Sequence, residues 1–315
     1  MGEWIREPGW EREGWLTPAR EPARELDPLS EVGPIRQLVL KHPRDAFVGP
    51  EFIAGQWRDL NFSDAPEFPR AIREYEALLA LLADLDADVR FLPEAPGTSL
   101  DSLYVRDAAI LSPAGVILAA MGKARRATEP AAQEEAYRAW QWPVIGAIQP
   151  PGRLEGGDVV WLNARTVVVG LGYRTNLEGV EQFRQLLGPA VTCETVPLPH
   201  WRGPDDVFHL MSILSPVDRD LAVVYSPLMP VPLRNQLLDR GYRLVEVPDE
   251  EFASMGANVL ALAPRRCVMV EGNPQSRRLL EAAGADVQVY AGTEISVKGG
   301  GGPTCLTRPI RRGAA

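Results

Sequence analysis

The chain is 315 residues long, 45% hydrophobic and 24% charged, enough for one large domain or two small ones. Its formal net charge of −9 comes without a basic stripe and argues against a nucleic-acid binder. Three cysteines are too few for a disulfide framework and no apolar run approaches the about 18 residues of a membrane span, so the expected setting is a reducing cytoplasm.

The first 30 residues carry Trp4, Trp10 and Trp15 among charges and prolines and lack the apolar core of a signal peptide. They read as an N-terminal extension, a surface or partner-binding arm, ahead of a single domain over 31–315. IRQLVLKHP, from Ile35, reads as a strand, and residues 49–69 as a long loop suited to be a lid. PRAIREYEALLALLADL then reads as a helix and DVRFLP as a strand. From Ala108 a pattern begins that occurs four times: two apolar strands around a tight turn, a helix, and a further strand. AAILSPAGVILAA, EPAAQEEAYRAW and PVIGAI make the first such unit; the second starts at Asp158 and turns at Asn163. The third starts at VFHLMSIL and the fourth at ANVLALA, and Gly188, Gly241 and Gly284 stand where left-handed helix caps are expected. The leftover strand at the C-terminus, TCLTRPI, completes a fifth unit only if it pairs with the elements near the N-terminus. The expected fold is therefore an α/β five-bladed ββαβ propeller, closed by pairing of the N- and C-terminal strands.

Polar residues fall at matching points of the units. Asp107, Asp158, His209, Asn258 and Cys305 follow one another at spacings of 51, 51, 49 and 47 residues, with Glu155 just before Asp158. A closed ring would gather them on one axis. Cys305 follows the run Gly299 to Gly302, where glycine permits a sharp bend or a close approach. His42 and His200 read as surface residues by contrast, and Cys193 and Cys267 as core. The three histidines and three cysteines lack ligand spacing, so neither a metal nor a cofactor is implied.

The segments DSLYVRD (Asp101 to Asp107), KARR (Lys123 to Arg126), LEGGD (Leu154 to Asp158), RTN (Arg174 to Asn176), FHL (Phe208 to Leu210) and GGPTCLT (Gly301 to Thr307) stand in family order. In them the chain resembles the guanidino-group-modifying enzymes of the pentein fold, which include dimethylarginine dimethylaminohydrolases, arginine deiminases and amidinotransferases. The resemblance implies that Cys305 is the nucleophile, that His209 is the acid and base, and that Glu155 and Asp107 grip a guanidinium. It further implies Arg125 and Arg174 at a substrate carboxylate and Asp101 at its α-amino group. Asp158 and Asn258 complete the substrate-facing set, although a turn acid capping backbone N–H groups is the favoured reading of Asp158.

Two positions depart from the deiminases and amidinotransferases or from the dimethylarginine hydrolases. Met211 stands where the former carry a second acid, and Arg106 where the latter commonly carry one. The expected partner is a small guanidino substrate derived from arginine, with amino-acid guanidines preferred to agmatine. Nucleic acid and membrane are not expected partners, and a homo-oligomer is left open. An amidinotransferase is the second reading. The third is a non-catalytic ring-shaped binding protein like the ribosome-associated initiation factor of the same fold.

Overall fold

The computed structural model describes residues 29–204 and 208–313, so residues 1–28 of the extension, with its three tryptophans, lie outside the described residues. Strand β1 (Ile35–Leu40) runs parallel to β2 (Asp88–Phe91). The helix Phe68–Leu82 between them turns Ala71, Tyr75, Leu78 and Leu82 inward at three-to-four spacing. β3 (Ala109–Ser112) and β4 (Gly115–Leu118) form a hairpin, and β5 (Val144–Ala147) adds parallel to β4. The same order follows in β6 (Val159–Asn163), β7 (Thr166–Leu171) and β8 (Thr192–Pro197). It recurs in β9 (Leu214–Asp218), β10 (Leu221–Val224) and β11 (Arg243–Glu246), and again in β12 (Leu260–Ala263), β13 (Arg266–Val270) and β14 (Asp286–Tyr290). β15 (Arg308–Arg312) pairs antiparallel with β1, so the fifth three-stranded sheet has the order β15–β1–β2 and joins both ends of the chain.

In each unit a helix makes the crossover that a parallel pair requires: Glu129–Ala139, Leu177–Leu187, Val231–Asp239 and Pro274–Ala282. The second strands read as continuous apolar runs because both faces are covered: Val167, Val168, Val169 and Val223 are fully buried. Gly188, Gly241 and Gly284 adopt positive φ of 73°, 85° and 92° at the ends of their helices, although Gly188, with ψ 178°, is not in the left-handed helical region.

Three local expectations are corrected. The stretch 49–69 holds a short helix, Pro50–Ala54, and further turns. Ile53, Leu60 and Phe62 from it enter the core, so burial orders what was read as a long loop. FHL is not part of a strand: His209 caps a single 3-10 turn, Leu210–Ser212, and the Ser212 hydroxyl accepts the His209 N–H at 3.0 Å. Cys305 lies in a helical turn, Pro303–Leu306, opened by a proline that has no N–H to leave unpaired; the strand begins only at Arg308.

Candidate active site

The turns that precede the sheets bring the in-phase residues together. His209 Nε2 lies 2.7 Å from Glu155 Oε2, and its Nδ1 lies 4.0 Å from Asp107 Oδ1. Glu155 Oε1 accepts the backbone N–H of Gly122 at 2.7 Å, and Arg174 Nη1 stands 3.6 Å from Oε2. Asp107 Oδ2 takes a 2.6 Å bond from Arg126 Nη1, while its Oδ1 is buried and has no hydrogen-bond partner. Cys305 Sγ accepts from Asn258 Nδ2 at 3.4 Å and lies 3.8 Å from the Thr304 hydroxyl. Asn258 Oδ1 in turn accepts from the Thr304 N–H and hydroxyl, so the amide anchors the turn that carries the thiol. Asp158 accepts from the Leu210 N–H at 3.0 Å and the Thr175 hydroxyl at 2.7 Å. It therefore binds the backbone that presents His209, the turn-acid role favoured for it.

Electrostatics set the resting protonation. Burial would push the Glu155 carboxyl up, but the His209 bond, with Arg174 and Arg126 nearby, holds it well below the usual carboxylate range. Burial likewise opposes a charged His209, yet Asp107, Asp158 and Glu155 outweigh it and raise the imidazole above its ordinary value. The pair rests as imidazolium and carboxylate. Burial pushes the Cys305 thiol up and Asp107 adds to this, against opposing bonds from Thr304 and Asn258, so the resting sulfur is a thiol. Burial also lifts the Asp158 carboxyl, to about 6.

Glycines make the packing possible. A Cβ on Gly157 would stand 2.6 Å from His209 Nδ1 and 2.8 Å from Asp107 Oδ1. One on Gly302 would meet Asn258 Cγ at 2.5 Å, and Gly299 and Gly301 press on the Tyr104 ring. The run before Cys305 thus serves close approach, and Gly300, at φ 74°, also supplies the left-handed bend. Gly157→Ala is expected to displace the imidazole and lower kcat by about a hundredfold while the thermal transition persists. A variant with wild-type kcat would show that the imidazole position does not matter.

Two cavities share Cys305, His209, Gly299 and Gly300 as a common wall. One, of about 370 Å³, is faced by Phe208, Met211, Phe252, Met255 and Val297. The other, of about 20 Å³, is faced by Asp101, Asp107, Lys123, Arg126 and Arg174.

Of the residues singled out in the sequence, Cys305, His209, Glu155, Asp107, Asp158, Asn258, Arg174 and Asp101 are all gathered here. Arg125 is not: it is exposed and pairs with Asp59 at 2.5 Å. Its neighbour Arg126 is the buried one, forked onto Glu129 and bonded to Asp107. The i, i+3 spacing of Arg126 and Glu129 was the available signal for this choice. The roles of Gly157, Gly122 and Lys123 had no sequence signal of their own. Asp107, Glu155 and His209 each place a donor atom within 4.8 Å of the others, but Arg126, the Gly122 N–H and the imidazole itself already engage this cluster.

A family model described as N,N dimethylarginine dimethylhydrolase, eukaryotic, matches residues 58–312. An uncharacterized protein of Bacillus subtilis is 25% identical over 240 residues, 76% of this chain and 80% of that one. An arginine deiminase of Mycobacterium avium is 30% identical over 190 residues, covering 50% of this chain but only 46% of the deiminase. Among solved structures, a dimethylarginine dimethylaminohydrolase mutant from Pseudomonas aeruginosa, complexed with citrulline, superposes with a TM-score of 0.72 at 21% identity. It covers 88% of this chain and 99% of its own. An amidinotransferase of Microseira wollei gives a TM-score of 0.71 at 15% identity, over 91% of this chain and 97% of its own. These likenesses identify the pentein fold.

Proposed function

The chain belongs to the N,N-dimethylarginine dimethylhydrolase family, and from that premise we propose that it is a cysteine-dependent hydrolase of the guanidino or ureido group of an arginine-derived small molecule. Its catalytic domain spans residues 31–315, with the five sheets as blades of a closed ring. The observation that carries the reading is Asp107 Oδ1, buried without a hydrogen-bond partner and lining the same cavity as the Cys305 thiol and the His209 imidazolium. A guanidinium is the complement of such an oxygen.

A cation beside Asp107 offsets the charge that holds the thiol up, so substrate binding favours loss of the thiol proton to solvent. The thiolate then adds to the guanidinium carbon, and His209 passes its proton to the departing amine as the C–N bond breaks. The remaining thiouronium is attacked by water, whose proton neutral His209 takes up. Collapse breaks the C–S bond, and the ureido product and Cys305 are released. Glu155, bonded to His209, orients the ring and favours its cationic form.

An amidinotransferase would use the same thiol and imidazole, with an amine in place of water. Product analysis with and without an added amine acceptor separates the two. A ureido product whose yield does not depend on the acceptor is expected, whereas an acceptor-dependent guanidine product would replace hydrolysis by transfer.

A further inference from the structure

The polar cavity that would receive the amino-acid end of an arginine is already filled from within the chain. Lys123 Nζ donates to Asp101 Oδ2 at 2.6 Å and to the Leu60 carbonyl at 2.8 Å. A carboxylate and a carbonyl oxygen, converging on one ammonium, are the acceptors that a substrate α-ammonium would need. Both partners are largely buried, with side-chain exposures of 13% for Lys123 and 6% for Asp101. The space left there, about 20 Å³, suits about one water and not an amino-acid head.

The carboxylate end fares no better. Arg125 is turned outward to Asp59, and Arg174 faces Glu155. Lys298, at the larger cavity, is committed to Glu294 and the Ala65 carbonyl. That cavity, about 370 Å³, lies in the size range of small-molecule sites, which starts at about 300 Å³. Its lining includes Phe208, Met211, Phe252, Met255 and Val297, side chains that reward apolar surface, beside the charged Arg106, Arg202 and Lys298.

We infer that the substrate is a guanidine without an α-ammonium group, whose apolar body lies in the larger cavity, and that Lys123 stands in Asp101's cation place. The guanidinium turns one edge through the shared wall toward Asp107, within reach of Cys305. This rests on the guanidine-hydrolase reading and replaces the expected amino-acid guanidine with one that lacks the amino-acid head.

The test measures kcat/KM of the full chain for arginine, agmatine and 4-phenylbutylguanidine, in the wild type and in Lys123→Ala. In parallel, alkylation of Cys305 by 2-chloroacetamidine is compared with alkylation by neutral 2-chloroacetamide. The expected result is that phenylbutylguanidine exceeds arginine by at least about tenfold in the wild type. Lys123→Ala, which frees Asp101 for an ammonium, should shift that ratio at least about tenfold toward arginine. Arginine equalling or exceeding phenylbutylguanidine in the wild type overturns the inference, as does a folded Lys123→Ala with an unchanged ratio. Should that variant fail to fold, the wild-type ratio decides alone. Faster alkylation by the amidine, beside a failed substrate panel, leaves the guanidine-hydrolase reading standing. No preference for the amidine overturns that reading itself.

Discussion

Cys305→Ser is expected to abolish guanidine turnover, with a loss on the order of a thousandfold or more, while the thermal transition stays close to that of the wild type. A hydroxyl in the Pro303–Leu306 turn keeps the Asn258 and Thr304 neighbours but cannot ionise near neutral pH. Asp107→Asn separates electrostatics from binding, because its two effects have opposite sign. After burial itself, Asp107 is the main group that raises the Cys305 pKa, so its neutralisation lowers that pKa and enlarges the thiolate fraction at neutral pH. Alkylation of the free enzyme by iodoacetamide should therefore become faster. Turnover should fall about ten- to a hundredfold, because the charge-assisted grip on the guanidinium is lost. Asparagine still offers an oxygen to Arg126, which Glu129 also holds. If both rates fall together, Asp107 does not act through charge on the thiol; if turnover is unaffected, it does not hold the substrate.

The sequence carried the sheet order because the same physics repeats from unit to unit: apolar strands, a crossover helix and, past three of the helices, a glycine of positive φ. It carried the thiol, imidazole and carboxylates because they keep the phase of that repeat. It did not carry local conformation at the site. FHL and TCL are apolar and continuous with the strands behind them, so their periodicity could not reveal that His209 caps a 3-10 turn and Cys305 rides a helical one. Both depend on side-chain bonds to the backbone, from Ser212 and Thr307, which compete with strand geometry. Nor did it carry the choice between Arg125 and Arg126. Adjacent residues on a one-turn helix face different ways, and only the packing decides which is buried. The Lys123–Asp101 pair joins positions 22 residues apart, a contact set by tertiary structure and by no local pattern.

Removing residues 308–315 is expected to unfold the described domain rather than merely inactivate it. β15 is the antiparallel partner of β1, with Leu38 opposite Pro309 and Val39 opposite Arg308. Leu38 and Val39 are fully buried, and uncovering each costs about 1.5 to 3 kcal/mol. Arg312 Nη1 bonds the Gly33 carbonyl at 2.6 Å and the Ala261 carbonyl at 2.9 Å, so its loss also unties the terminal sheet from its β12 neighbour. The ladder bonds to β1 add about 1 kcal/mol each, and the sum is comparable to the about 5 to 15 kcal/mol that holds a typical domain folded. The truncated chain should show no cooperative thermal transition, whereas removal of residues 314–315 alone, beyond β15, should leave it intact. Calorimetry and near-ultraviolet circular dichroism read the outcome. A sharp transition within a few degrees of the full chain would mean that β1 and β2 hold their place without the C-terminal strand, and that closure of the fifth sheet is dispensable.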